Sequence, residues 1–188
     1  VAGGCTGTDG VLIADRQNDV QVDPWRYREL VRQVLEAEGV PAGAETAVTF
    51  VGRDEMAELN EAHMGHAGPT DVLAFPLDLV PGTQPPNEPE TGAPIAGRPA
   101  AGGTAICPDL AGPALVGDIV VCPAVAAANA VAGKESRPGH DGSVTAEIDL
   151  LVVHGVLHLL GMDHAEPADA AAMRAREAEH LRSLWSRS

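Results

Sequence analysis

Three histidines stand in the run His154-Gly155-Val156-Leu157-His158-Leu159-Leu160-Gly161-Met162-Asp163-His164, spaced so that one segment can hold one metal ion. His154 and His158 are four residues apart, which puts their imidazoles on one face of a helix, one turn above each other. Gly161 suits the left-handed conformation that ends a helix, so the chain can fold back and carry His164 toward the other two. Three neutral imidazoles leave a fourth tetrahedral position for water, the pattern of a catalytic zinc site rather than a closed structural one. His154, His158 and His164 are therefore the expected ligands of one Zn2+ per chain, with His154 and His158 also the catalytic candidates. Another divalent transition metal, such as nickel or copper, competes for the same donors. A lone histidine on an apolar helix is more often a core residue. Three of them among Val153, Val156, Leu157, Leu159 and Leu160 are costly to bury unless something satisfies their nitrogens.

The spacing equals that of the long zincin motif H-E-x-x-H-x-x-G-x-x-H, but Gly155 stands where a metallopeptidase carries its general-base glutamate. The site is expected to bind metal without the standard peptidase base. Asp163, directly before a ligand, either orients an imidazole from outside the ligand set or caps the loop after Gly161. Asp71 and Asp118 read more readily as strand-end carboxylates bonded to backbone than as site residues. His63 and His66 read as loop histidines that can line a cleft, and His140 and His180, in polar settings, as exposed. Glu147, Glu166 and Glu177 read first as ordinary helix charges, with a distant base as the rarer alternative for any of them. Lys134, Arg137, Arg174 and Arg176 read as a solvated face or, more sharply, as contacts to a phosphate backbone.

The chain has 188 residues, enough for one domain with a full core. Apolar residues make up 45% but aromatics only 3%, so Val, Leu and Ala must build that core. A formal charge of -15 and a pI near 4.6 disfavour broad adhesion to nucleic acid or anionic membrane, so any RNA contact must be local and aided by the metal. The longest uncharged, mostly apolar run, Ile119 to Gly133, is too short to span a bilayer. No signal peptide is expected, and the chance resemblance of Val1 to Cys5 to a lipoprotein box has no apolar segment before it. Cys5, Cys107 and Cys122 form no paired framework, which suits a reducing cytoplasm, and Cys122 reads as a small buried hydrophobe.

The elements that must position these residues follow from periodicity. Val11 to Ala14, Thr46 to Val51, Thr70 to Pro76 and Leu115 to Cys122 read as strands. Asp23-Pro24 caps a first helix that Gly39 stops. Met56, Leu59, Asn60 and His63 mark the inner face of a second helix. Pro123 opens an alanine-rich helix expected to stop near Gly133, with a polar, turn-prone stretch from Lys134 to Gly142. Thr145 to Leu160 is apolar nearly all round and reads as a buried central helix carrying the histidines. Pro167 opens a last helix with a Met173, Leu181, Leu184, Trp185 stripe. Residues 1–10 read as a flexible N-terminus and 11–188 as one domain, with a mobile Pro/Gly-rich insertion at about 80–113. The expected fold is α+β, a small mixed β-sheet packed with helices around the metal-bearing helix.

Three blocks together resemble the YbeY family of bacterial single-strand-specific endoribonucleases. They are Leu59-Asn60 with Pro69 to Pro76, then Gly117-Asp118-Ile119, then the histidine run from His154 to His164. The resemblance covers roughly Val11 to Trp185, apart from the insertion. It implies a zinc-dependent endoribonuclease of ribosomal RNA maturation, at the 3′ end of small-subunit rRNA, and of ribosome quality control. It further implies a cytoplasmic location, and single-stranded RNA, the small ribosomal subunit and assembly factors as partners, with no membrane. His154, His158 and His164 match the family's metal ligands. The chain departs where members commonly carry an arginine a few residues after Leu59-Asn60, because Met64 stands nearest in register. Asp163, Asp71 and Met64 are thus the additional cleft candidates. A metallopeptidase or other zinc hydrolase, and a non-catalytic ribosome-assembly factor in which metal only clamps the fold, are the competing readings. Whether water or the ribose 2′-hydroxyl attacks is left open by the residues.

Overall fold

β-Branched runs, proline-opened helices and one all-apolar helix resolve into the order β1 (Val11–Asp15), α1 (Pro24–Ala37), β2 (Glu45–Phe50), α2 (Arg53–Met64), β3 (Val72–Pro76), β4 (Leu115–Val121), α3 (Pro123–Ser136), α4 (Val144–Leu159) and α5 (Pro167–Trp185). The computed structural model describes residues 10–77, 114–163 and 166–185, apart from the side chains of residues 135, 136 and 183. The expected flexible N-terminus up to residue 9, the insertion at about 80–113, Cys5, Cys107 and the third histidine, His164, lie outside the described residues.

The sheet runs β1-β2-β4-β3, with β1, β2 and β4 parallel and β3 antiparallel to β4. Helices pack around α4, which touches α1, α3, α5, β3 and β4. This is the α+β domain with a mixed sheet and a central helix that the periodicity predicts. The core is aliphatic, as the composition requires, with Val31, Val48, Val116, Ile119, Val152, Val153, Val156 and Leu157 fully buried. Cys122 is buried with Val51, Met56 and Leu73 under α2. Among the described residues, no helix is long and apolar enough to cross a membrane.

Local chemistry sets the helix ends. Asp23 Oδ1 accepts the Trp25 N–H at 3.0 Å, with Pro24 in the first turn of α1. Ser143 Oγ accepts the Ala146 N–H at 3.1 Å and starts α4. At the other end of α4, Gly161 takes φ 86°, its N–H bonds to the His158 carbonyl, and the Met162 N–H bonds back to Leu157. That paired bonding is the Schellman arrangement, and it turns the chain immediately after the second histidine.

One boundary differs from expectation. Helix α3 continues past Gly133 to Ser136, so Lys134 is helical rather than part of a turn. Gly133 is there for closeness: a Cβ would stand 2.3 Å from Glu147 Oε2 and 3.0 Å from His140 Nε2. Gly117 has a similar task in β4. It takes φ 139°, and a Cβ would meet the Phe75 carbonyl oxygen at 2.3 Å and Leu159 Cδ2 at 2.9 Å. Its lack of a side chain brings β3 and the histidine-bearing end of α4 against the sheet.

Charges inside the central helix are tied to its neighbours. Asp149 on α4 accepts two bonds from Arg26 of α1, at 3.1 and 2.6 Å, and one from the Trp185 Nε1–H of α5 at 3.3 Å. The fork joins three helices through one buried carboxylate. His140 and His180 are corrections to the expectation of exposure, since both side chains are almost wholly buried. His180 Nε2 lies 2.6 Å from Glu38 Oε1, which also accepts from Arg176 at 2.6 Å, so the residue helps join α1 to α5. His140 packs edge-on against Trp185 and accepts the Gly142 N–H at Nδ1, so its polar loop folds inward. Glu147 and Glu177 are likewise buried rather than ordinary surface charges, whereas Glu166 is exposed as expected.

Candidate functional site

The i, i+4 spacing on α4 does bring two imidazoles together. His154 and His158 have ring centroids 4.5 Å apart with planes at 86°, and their Nε2 atoms are 3.0 Å apart. Both side chains face a cavity of about 470 Å³ lined by Met64, Asp71, Val72, Leu73, Ala74, Pro76 and Gly155 as well as the two histidines. Helix α4 supplies one wall, β3 and the residue before it another, and the last residue of α2 the rim. The sequence blocks around Met64, Asp71 to Pro76 and His154 to His158 therefore meet in one place.

A buried carboxylate sets the state of the first imidazole. Glu177 of α5 is 2% exposed, and its Oε1 lies 2.8 Å from His154 Nδ1, while its Oε2 is paired with Arg137. Burial pushes this carboxyl upward, but the hydrogen bond from His154 and the charge of Arg137 outweigh it and hold it below its usual range. An ionised carboxylate only accepts, so His154 Nδ1 carries the proton and donates. Its Nε2 is then the acceptor nitrogen of the ring, 3.0 Å from His158 Nε2.

The two described donors have the spacing that a zinc-class ion requires, and no cluster of three or more His, Cys, Asp or Glu occurs among the described residues. Two nitrogens each about 2.0–2.1 Å from a tetrahedral zinc are separated by roughly 3.3 Å, close to the distance between the two Nε2 atoms. The third expected donor, His164, follows the Schellman turn and lies outside the described residues.

The remaining candidates divide. Asp71 lines the cavity and is also bonded locally, since Oδ1 accepts the Val72 N–H at 2.8 Å and Oδ2 the Asn129 amide at 3.2 Å. The two readings of this residue hold together. Met64 is 46% exposed at the rim. Asp163 is exposed and not among the lining residues, and Asp118 is exposed on the opposite side of the sheet, beside Gly10, Leu12 and Ala47. His63 is an exposed residue whose ring stands edge-on to Phe75 at 4.9 Å, rather than part of the inner face of α2. Of the four cations singled out, Arg137 and Arg176 are engaged with carboxylates, and none of the four lines the cavity.

Gly155 explains itself by packing. A Cβ there would stand 2.9 Å from Ile119 Cγ2, and Ile119 is fully buried. The place of the peptidase glutamate is thus filled by β4.

Sequence reading missed the contact that Glu177 makes with His154. Its signal was present, because Met173, Glu177 and Leu181 follow at four-residue intervals, and a carboxylate inside an apolar stripe requires a partner. Glu147 carries a similar signal within the all-apolar α4. Its Oε2 approaches His140 Nε2 to 3.0 Å, yet alignment is poor and neither atom gains a proper hydrogen bond.

The family model for endoribonuclease YbeY matches residues 12–185. An endoribonuclease YbeY of Salinispora tropica is 44% identical over 170 residues, covering 90% of this chain and 93% of its own. That of Thermobifida fusca is 40% identical over 172 residues and covers 92% of each chain. The solution structure of TM1509 from Thermotoga maritima superposes with a TM-score of 0.51 over 94% of this chain and 90% of the other, at 22% identity, a likeness of fold. Matched along nearly its whole length by the family model and by relatives at these identities, the chain belongs to the endoribonuclease YbeY family.

Proposed function

We propose that this protein is a metal-dependent, single-strand-specific endoribonuclease that acts in ribosomal RNA maturation, at the 3′ end of small-subunit rRNA, and in ribosome quality control. The observation that carries the reading is the convergence of two histidine Nε2 atoms at 3.0 Å on the wall of a cavity of about 470 Å³. Family membership supplies the RNA substrate, and the small ribosomal subunit with its assembly factors is the proposed setting.

His154, His158 and His164 would hold one zinc ion. Such an ion supplies Lewis acidity, polarising a phosphoryl oxygen and acidifying water near neutral pH. The chain's own groups do the rest. Asp71, anchored by the Val72 N–H and by Asn129, sets a negative edge on the cavity that disfavours a second phosphate there. The apolar wall of Val72, Leu73 and Ala74 offers a surface for an unstacked base. A cavity of this size suits part of a single strand better than a rigid A-form duplex.

The test is to load the purified chain with zinc and offer it one RNA sequence as single strand and as duplex. Faster cutting of the single strand, abolished by His158→Ala with the fold retained, is the expected result. Equal cutting of both forms, or no transition metal taken up on titration, overturns the reading. Loss of fold in His158→Ala instead favours a structural clamp. Product ends report the attacking oxygen: a 2′,3′-cyclic phosphate marks the ribose hydroxyl.

A further inference from the structure

Glu177 lies on α5, 23 residues from His154, in a stripe whose neighbours one turn away are the buried Met173 and Leu181. An ionised carboxylate in such a stripe is costly unless both oxygens are engaged, and here both are. Oε1 meets His154 Nδ1 at 2.8 Å, and Oε2 meets Arg137, which follows directly on α3. With Oε2 taken up by the Arg137 guanidinium, Oε1 is placed to accept from the ring, so the bond fixes which nitrogen of His154 carries hydrogen. It also fixes the ring, because an imidazole held at Nδ1 by a buried, doubly anchored acceptor has one orientation for Nε2. That orientation puts Nε2 3.0 Å from its counterpart on His158.

We infer that Glu177, braced by Arg137, is a positioning residue that locks the tautomer and orientation of His154 for metal binding. The inference rests on the metal reading above. It gives α5 and the end of α3 a part in the site although neither lines the cavity. A partner of this kind raises the basicity of the ligand and spares the ordering that a freely rotating imidazole requires.

The experiment uses the full chain, stripped of metal. Glu177→Leu and Glu177→Met replace the carboxylate with apolar chains that suit the stripe, and Glu177→Gln keeps its shape with one acceptor oxygen in place of two. Zinc affinity is measured by competition with a chromophoric chelator, circular dichroism reports the fold, and nitrogen NMR of the histidine rings reports the His154 tautomer. The expected result is a 10–100-fold loss of zinc affinity in the apolar variants. His154 should then populate both tautomers, and Glu177→Gln should lose affinity too, because Arg137 claims its one carbonyl oxygen and its NH2 group is left facing His154 Nδ1. Folded apolar variants with wild-type affinity and an unchanged tautomer overturn the inference, as does a Gln variant with wild-type affinity and the Nδ1–H form. If the wild type takes up no zinc, the metal reading falls, and the tautomer comparison still decides the role of Glu177.

Discussion

Single residues decide what this cavity can do. Gly155 shows why histidine spacing alone does not make a peptidase. Its hydrogen faces Ile119 at a distance that admits no Cβ without movement of a fully buried side chain. Gly155→Glu should therefore cost about 1–3 kcal/mol in denaturant unfolding, as overpacking typically does. It should show no peptide turnover when loaded with zinc, and steady turnover would revive the peptidase alternative. Met64 is the complementary case, because the described lining of the cavity contains no lysine or arginine. Met64→Arg, at a half-exposed rim position, should leave stability within about 0.5 kcal/mol. It should tighten single-stranded RNA binding and steepen the logarithmic salt dependence by about 0.7, the signature of one added phosphate contact. An unchanged slope in a filter-binding series at several salt concentrations would show that phosphate does not pass this rim. The histidines were legible from the sequence because i, i+4 spacing is a local geometric fact. Glu177 was not, because its partners come from α3 and α4, and only the packing of three helices brings them together.

At the scale of elements, α4 is the part from which the others are ordered. Its boundaries were readable within a residue, since Ser143 and Gly161 are strong local signals. The internal charges were harder to place, because burial reverses what a carboxylate in a helix ordinarily means. Glu147 is the sharpest instance. Burial pushes its carboxyl up, the neighbouring charge of Asp71 adds to that, and His140 and Arg137 offset only part of it. A carboxyl whose folded value is raised contributes most favourably below its ordinary pKa, and that contribution is lost as pH rises through the folded value. At pH 8, then, Glu147 should burden the fold. Glu147→Gln, with the same shape and no charge, should be more stable than the wild type at pH 8, and the gap should close as pH falls below about 4. Urea unfolding of both proteins across that range measures it. A gap that widens in acid would mean that the charged form is the one the fold favours, through a better bond to His140 than the poorly aligned 3.0 Å approach provides.

At the scale of the whole molecule, the question is how a chain with charge -15 and a long Pro/Gly-rich excursion keeps one cavity in shape. The sheet answers for the excursion. β3 and β4 are antiparallel neighbours with Pro76 opposite Gly117, and the Leu77 N–H bonds to the Val116 carbonyl at 3.1 Å. The two ends of the 78–113 segment thus leave adjacent strands side by side, the geometry that a hairpin turn closes. The register is set elsewhere, by Gly117 with its close approach to Phe75 and Leu159 and by Thr46 Oγ1, which donates to the Gly117 carbonyl at 2.7 Å. Replacing 78–113 with a four-residue turn containing Asn-Gly should therefore preserve the fold, the strand pairing and metal uptake. Closure entropy changes by about 0.6 kcal/mol per doubling of loop length, so a cut through about three halvings should add on the order of 2 kcal/mol to stability. Thermal unfolding and zinc titration of the shortened chain test this directly. A shortened chain that fails to fold would mean that 78–113 supplies core to the sheet, on the side where Leu12 and Leu77 are exposed.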